Sequence, residues 1–212
     1  MRFSFLLPFA RLLLSPLPLL SVLLLLLTGC GNGTPPVPKP RGYPRVAYPE
    51  RNYVPLAADY CNFTFQRPAS AGVVREENFF DEAPADPCWF DLELDPALNG
   101  SLHFSYYPLG SYEQFEELRD QAFELVGVHN KRASDIEEIR IDRDGAGVHG
   151  IAFDIAGPAA SPFQFFLTDS SQHFLRGALY FDTRPNPDSL APIVDYVKED
   201  IFRMVETFEW NN

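Results

Sequence analysis

The chain has 212 residues, 46% of them apolar and 14% aromatic, which suffices for one packed domain with targeting and linker segments beside it. A formal net charge of −12 argues against nucleic acid as a partner and against peripheral attraction to anionic lipid. The three cysteines form no Cys-x-x-Cys pair and the four histidines are scattered, so neither a metal nor a cofactor is expected.

Residues 1–29 open with Arg2 and Arg11, continue as an apolar run broken by Pro16 and Pro18, and end on the small residues Thr28 and Gly29 before Cys30. Two prolines disfavour a regular membrane-spanning helix, and no basic stop-transfer cluster follows, so the segment reads as a secretion signal. Leu27-Thr28-Gly29-Cys30 resembles a bacterial lipobox. That resemblance implies a mature chain beginning at Cys30 and held on a bilayer by more than one acyl chain, each buried methylene adding about 0.8 kcal/mol. Residues 30–55 hold seven prolines and no apolar periodicity, which predicts an extended tether. A Pro-x-x-Pro ligand for a partner domain is the sharper reading of the same residues. With Cys30 assigned to lipid, Cys61 and Cys88 remain. They form either a disulfide, worth roughly 3–4 kcal/mol in the chain-entropy model, or a pair of reduced buried thiols.

Residues 56–212 read as a single globular domain. Phe90, Leu92 and Leu94 alternate with Asp91, Glu93 and Asp95, and Leu102, Phe104 and Tyr106 follow Asn99-Gly100, predicting two strands. Ser111 and Gln114 form a capping box before Phe115, Leu118, Ala122, Leu125, Val126 and His129 at helical spacing. Alternation returns at Ile139 and Ile141, turns at Asp144-Gly145, resumes at His149, Ile151, Phe153 and Ile155, and breaks at Gly157-Pro158. Two more strands are predicted at 162–168 and 173–182. A helix from 189 to about 207 carries Leu190, Ile193, Val194, Val197, Ile201, Met204, Val205 and Phe208 on one stripe. The order β-β-α-β-β-β-β-α, with short turns between strands, predicts an α+β fold: an antiparallel sheet of about six strands flanked by two main helices. It is similar in element order to the Mog1/PsbP-like architecture.

Asp169, Ser170, Ser171 and His173 bring nucleophile, base and acid side chains close together in sequence. They are also the residue types of a hairpin turn, and neither a nucleophile elbow, Ser-x-x-Lys, His-Glu-x-x-His nor a phosphate loop occurs in the chain. No catalytic residue is therefore expected. Arg176, set among apolar strand residues, needs a partner if it is buried, and Asp154 in a neighbouring strand is the candidate. His129 reads as a histidine at the core edge.

The stretch FQFFLTDSSQHFLRGALYFDTRPNPDSLAPIVDYVKEDIFRMVETFEW, with the upstream KPRGYPRVAYPERNY, CNFTF and CWFDLELDPALNGSLHFSYY, resembles the gliding-motility lipoprotein family GldD of Bacteroidota. The chain departs from that family's pattern at Pro44 and Asn62. The resemblance implies a component of the cell-envelope apparatus for surface gliding and linked type IX secretion, without catalytic activity. Its partners would be other envelope proteins and lipoproteins of that apparatus, with the membrane reached through the lipid anchor. The residues after Cys30 lack an acidic run of the surface-export kind, which favours a periplasm-facing position. The other functional class is a periplasmic lipoprotein that binds a ligand or peptide on an open sheet face around Arg176, Tyr180 and His173. Asp188-Ser189-Leu190 resembles an O-glycosylation sequon, but Asp188 or Ser189 as a helix cap explains the same residues.

Overall fold

A computed structural model describes residues 45–77 and 84–211. The signal segment, Cys30 and the first part of the proline-rich stretch, Pro44 included, lie outside the described residues. In chain order the elements are β1 (Tyr53–Pro55), β2 (Phe63–Thr64), β3 (Gln66–Pro68), β4 (Gly72–Arg75), β5 (Trp89–Glu93), β6 (Gly100–Pro108), α1 (Tyr112–Gly127), β7 (Asp135–Arg143), β8 (Val148–Ala156), β9 (Phe163–Thr168), β10 (His173–Phe181), α2 (Pro187–Glu206) and β11 (Glu209–Trp210). Seven strands form one sheet in the order β4-β5-β6-β10-β9-β8-β7, antiparallel at every pairing. The expected α+β fold is therefore present, its main sheet having one strand more than the periodicity gave, and β1-β3 and β2-β11 form two further two-stranded sheets. That strand, β4, is only four residues long and mostly exposed, too short to show alternation.

Strand alternation sends successive side chains to opposite faces, and each face takes one helix. On one face Leu118, Ala122 and Val126 of α1 pack on Phe153, Ile155, Phe166 and Phe174. On the other, Ile193, Val197, Ile201 and Met204 of α2 join Leu92, Leu102, Phe104, Phe163, Phe165, Leu175 and Leu179. Every residue of β9 is buried, which explains why it is apolar at nearly every position.

Ser111 caps α1 by accepting from the Gln114 N–H, and the Gln114 side chain accepts from the Gly110 N–H. Leu125 departs from the predicted stripe: it is exposed, and Phe123 turns inward onto the Phe153 ring instead. His129 lies past the helix in a 3-10 turn, Val128–Lys131. α2 starts earlier than predicted, with Asn186 at its N-cap and Pro187 in the first turn. Pro fixes φ near the helical value and lacks only an N–H that the first turn leaves unbonded anyway. Asp188 and Ser189 thus lie inside the first turn, where Asp188 favours the helix dipole, and neither is the cap.

Residues 46–55, counted with the tether from sequence, lie on the body, with Val46 packed against the core. Tyr48 packs on the Tyr196 ring, the Tyr196 hydroxyl donates to the Pro49 carbonyl at 2.7 Å, and the Arg51 guanidinium sits 4.3 Å over the same ring. Arg51 also pairs with Glu199 and Asp200. Asp200 interrupts the apolar face of α2 and is buried, receiving the Tyr53 hydroxyl at 2.7 Å. Burial pushes the Asp200 carboxyl above its usual range, opposed by the Tyr53 hydrogen bond and Arg51. Tyr53 in turn is pushed up to about 12, by burial and then by its bond to Asp200.

Cys61 and Cys88 are joined as a disulfide with Cα atoms 5.0 Å apart, tying the loop before β2 to the residue before β5. Both are buried.

Candidate functional site

The hairpin at 169–172 is held as a turn throughout. The Asp169 carboxylate accepts from the N–H groups of Ser171, Gln172 and His173 and from the Ser171 hydroxyl. Thr168 accepts from the Ser170 N–H and donates to the His173 carbonyl at 2.6 Å, while Ser170 takes a left-handed φ of 65°. These backbone donors hold the Asp169 carboxyl below its usual range against the effect of burial.

The three surface candidates do not share a face. β10 alternates, and His173 falls with the odd-numbered residues on the α2 side. There it is buried, hydrogen-bonded to the Tyr106 hydroxyl at 2.7 Å and stacked on Trp210 at 4.7 Å. It is corrected from surface residue to core residue. Arg176 and Tyr180 follow the even-numbered Phe174 onto the α1 side. The same alternation removes Asp154 as the partner of Arg176. Asp154 lies on the α2 side, one strand beyond β9, and pairs with Lys198 at 2.6 Å.

α1 covers only the half of its face built by β8, β9 and the start of β10. Among the described residues nothing covers the remaining half, and register places its side chains. Arg176 stands opposite Ser105 on β6 and Phe166 on β9; Ala178 stands opposite His103 and Gln164; Tyr180 stands opposite Ser101; and Phe174 stands opposite Tyr107. Trp89 and Asp91 of β5 come next, opposite Ser105 and His103. The Tyr107 ring meets the Trp89 ring at 5.4 Å, and the Tyr180 ring meets His103 at 5.3 Å. Gln164, buried at the border with α1, is hydrogen-bonded to His129 at 2.9 Å.

Arg176 is half-buried at the centre of this surface. Among the described residues it has neither a hydrogen bond nor an ion pair. Burial lowers its pKa from the ordinary guanidinium value, with only the nearby Tyr107 and Tyr180 acting in the other direction. The other cation of the face is compensated, because His103 Nδ1 lies 2.6 Å from the Asp91 carboxylate.

That pair gives a pH prediction. The hydrogen bond to Asp91 raises the His103 pKa above the ordinary imidazole value against the effect of burial, whereas burial lowers that of His129. A raised folded-state pKa means the pair stabilises the fold fully below the ordinary imidazole value, and the contribution fades as pH rises through the folded value. Site-resolved NMR should find His103 titrating above His129, and Asp91→Asn should bring His103 down while leaving His129 in place. An unmoved His103 in that variant would refute the assignment.

Two other clusters complete the described surface. A cleft of about 300 Å³ opens between the start of α2, the β8–β9 loop and β7, lined by Ile155, Pro162, Phe181, Leu190 and Val194, with Asp135 and Glu137 also on its wall. Asp142, Asp144 and His149 bring one ligand atom each within 4.8 Å at the β7–β8 hairpin. Arg140 and His149 already face Asp142 there. Among the described residues no helix is long and apolar enough to cross a membrane.

Sequence reasoning missed the roles of Gln164, Asp91 and Lys198. Their signal is positional: each acts through a register or helix-face neighbour that a single strand does not show.

A family model described as gliding motility lipoprotein GldD matches residues 33–210. No curated protein matches the chain. Among solved structures, the solution structure of cyanobacterial PsbP (CyanoP) from Synechocystis sp. PCC 6803 is similar with a TM-score of 0.46 at 10% identity, over 76% of this chain and 94% of that one.

Proposed function

The chain belongs to the gliding motility lipoprotein GldD family, and from that premise we propose that it acts as a non-enzymatic assembly or scaffold component of the envelope apparatus for gliding and type IX secretion. The family makes it a lipid-anchored protein of the cell envelope. The finer reading puts the anchor on Cys30 and the body on the periplasmic side, next to other motility lipoproteins and envelope proteins.

The observation that carries this reading is the extent of the family match, which takes in almost everything after the lipobox. Two features agree with it. The Asp169 carboxylate and the Ser171 hydroxyl hold a turn that Ser170 joins through its backbone N–H, which gives the sequence's nucleophile-rich cluster a structural role. The packing of residues 46–55 on the body leaves a shorter stretch, about 16 residues from Cys30 to Val46, between lipid and body. At about 3.1 Å per residue, polyproline form would give such a stretch a reach of roughly 50 Å, which would keep the body close to its own membrane. The reading is tested by deleting the gene in its host and scoring surface spreading and type IX cargo release together.

A further inference from the structure

We propose that the open half of the α1-side sheet face is a docking surface for a partner protein that presents a carboxylate side chain to Arg176, flanked by apolar or aromatic groups. The identity of that partner as an envelope protein rests on the function proposed above; the carboxylate recognition does not.

A half-buried guanidinium with no counter-ion gives up part of its hydration and gains no Coulomb energy in return, so it is a net liability to the isolated fold. The chain is rich in acids, 29 Asp and Glu against 17 Lys and Arg. Yet of the acids on this face, Asp91 is engaged by His103, and among the described residues no carboxylate turns to Arg176. An anion from outside would remove the liability.

The chemistry of that anion follows from what surrounds Arg176. There is one guanidinium fork, and a fork matches a carboxylate bidentately. Among the described residues no second unpaired cation faces it: His103 is neutralised by Asp91 and His129 is bonded to Gln164. A phosphate, with nearly two charges, would meet a single cation inside the field of a chain carrying −12 overall. The neighbours are rings and small groups, Tyr107 and Tyr180 beside Ser105 and Ala178. An Arg anchored among tyrosines over a floor of small side chains is the composition of a protein-interface hot spot. Tyr180 is 37% exposed, so this edge is accessible to a partner of protein size.

The test uses the full lipidated chain in non-ionic detergent, with sodium benzoate as the carboxylate probe and inorganic phosphate and sodium chloride at matched ionic strength beside it. Benzoate should raise the thermal midpoint saturably at millimolar concentration, phosphate should do no more than chloride, and Arg176→Gln should abolish the benzoate effect. Arg176→Lys, which keeps the charge and loses the fork, should weaken the effect at least tenfold. The Arg176→Gln chain itself should melt no lower than wild type, since it loses an uncompensated charge. A marked fall in its midpoint would show a structural role and overturn the proposal, as would an equal response to phosphate or an undiminished response of the Gln variant to benzoate. The macromolecular source is tested in cells, with Tyr180 replaced by p-benzoylphenylalanine. Photo-adducts with an envelope protein that disappear on Arg176→Gln support docking. Benzoate binding without any Arg176-dependent adduct would make this a small-carboxylate pocket and overturn the docking surface.

Discussion

Replacing both Cys61 and Cys88 by Ala should cost about 3.5 kcal/mol of stability, the loop-closure entropy for a separation of 27 residues. The loop they close contains β2, β3 and β4, and none of these could hold its place by pairing alone. β2 and β3 are two and three residues long, and β4 is a mostly exposed strand at the sheet edge. Phe63 and Phe65 at the start of that loop are nevertheless central to the core. Phe63 meets the rings of Phe90, Tyr106, Phe208 and Trp210, and Phe65 stacks on Phe104 at 5.5 Å. The disulfide therefore stabilises a segment whose backbone is weakly paired and whose side chains are essential. Denaturant titration of the oxidised and fully reduced chain should show a large drop in midpoint for the reduced form, and the Ala pair should match it. Equal midpoints would mean that Phe63 and Phe65 hold the segment unaided.

Gly150→Ala should be the most damaging single substitution in the sheet. A Cβ at Gly150 would come 1.9 Å from the Phe166 carbonyl oxygen and 3.0 Å from its carbon. Those are backbone atoms of the neighbouring strand, where Gly150 pairs with Leu167, so relief requires β8 and β9 to separate. We expect a loss at or above the upper end of the roughly 1–3 kcal/mol typical of overpacking. Gly177→Ala is the comparison. Its Cβ would meet the Phe165 ring at 2.3 Å, and a side chain has freedom to move that a ladder carbonyl lacks. Thermal midpoints should fall further for Gly150→Ala than for Gly177→Ala. The reverse order would show that the β8–β9 spacing yields more readily than the ring.

Periodicity made much of this architecture legible. β5, β6, β8 and β10 alternate because each separates an apolar side from a side that is at least partly wet. α2 shows its stripe because one of its faces lies on the sheet. The failures have equally physical sources. β4 has no length over which to alternate. Leu125 satisfies helical spacing, but α1 rolls so that Phe123 fills the space over Phe153. Asp200 interrupts an apolar stripe, and partners far away in sequence, Tyr53 at 147 residues and Arg51, make its burial tolerable.

The candidate surface was half legible for the same reason. That Arg176 is unusual could be read from the apolar residues around it. The face it occupies follows from parity within β10, and parity separates it from His173 three residues earlier. That Asp154 belongs to Lys198 depends on where α2 lies, which strand sequence does not encode. Among the described residues half of that face stays uncovered because α1, at 16 residues, spans only part of a seven-stranded sheet.

The most direct test of the proposed role is a clean deletion in the native host, complemented in parallel by the wild-type gene and by a Cys30→Ala form, scoring colony spreading and type IX cargo in the medium. Under the proposed role both are lost on deletion, both return with the wild-type gene, and neither returns with the form that cannot be lipidated. Spreading and secretion that survive the deletion, or full recovery by the Cys30→Ala chain, would contradict it.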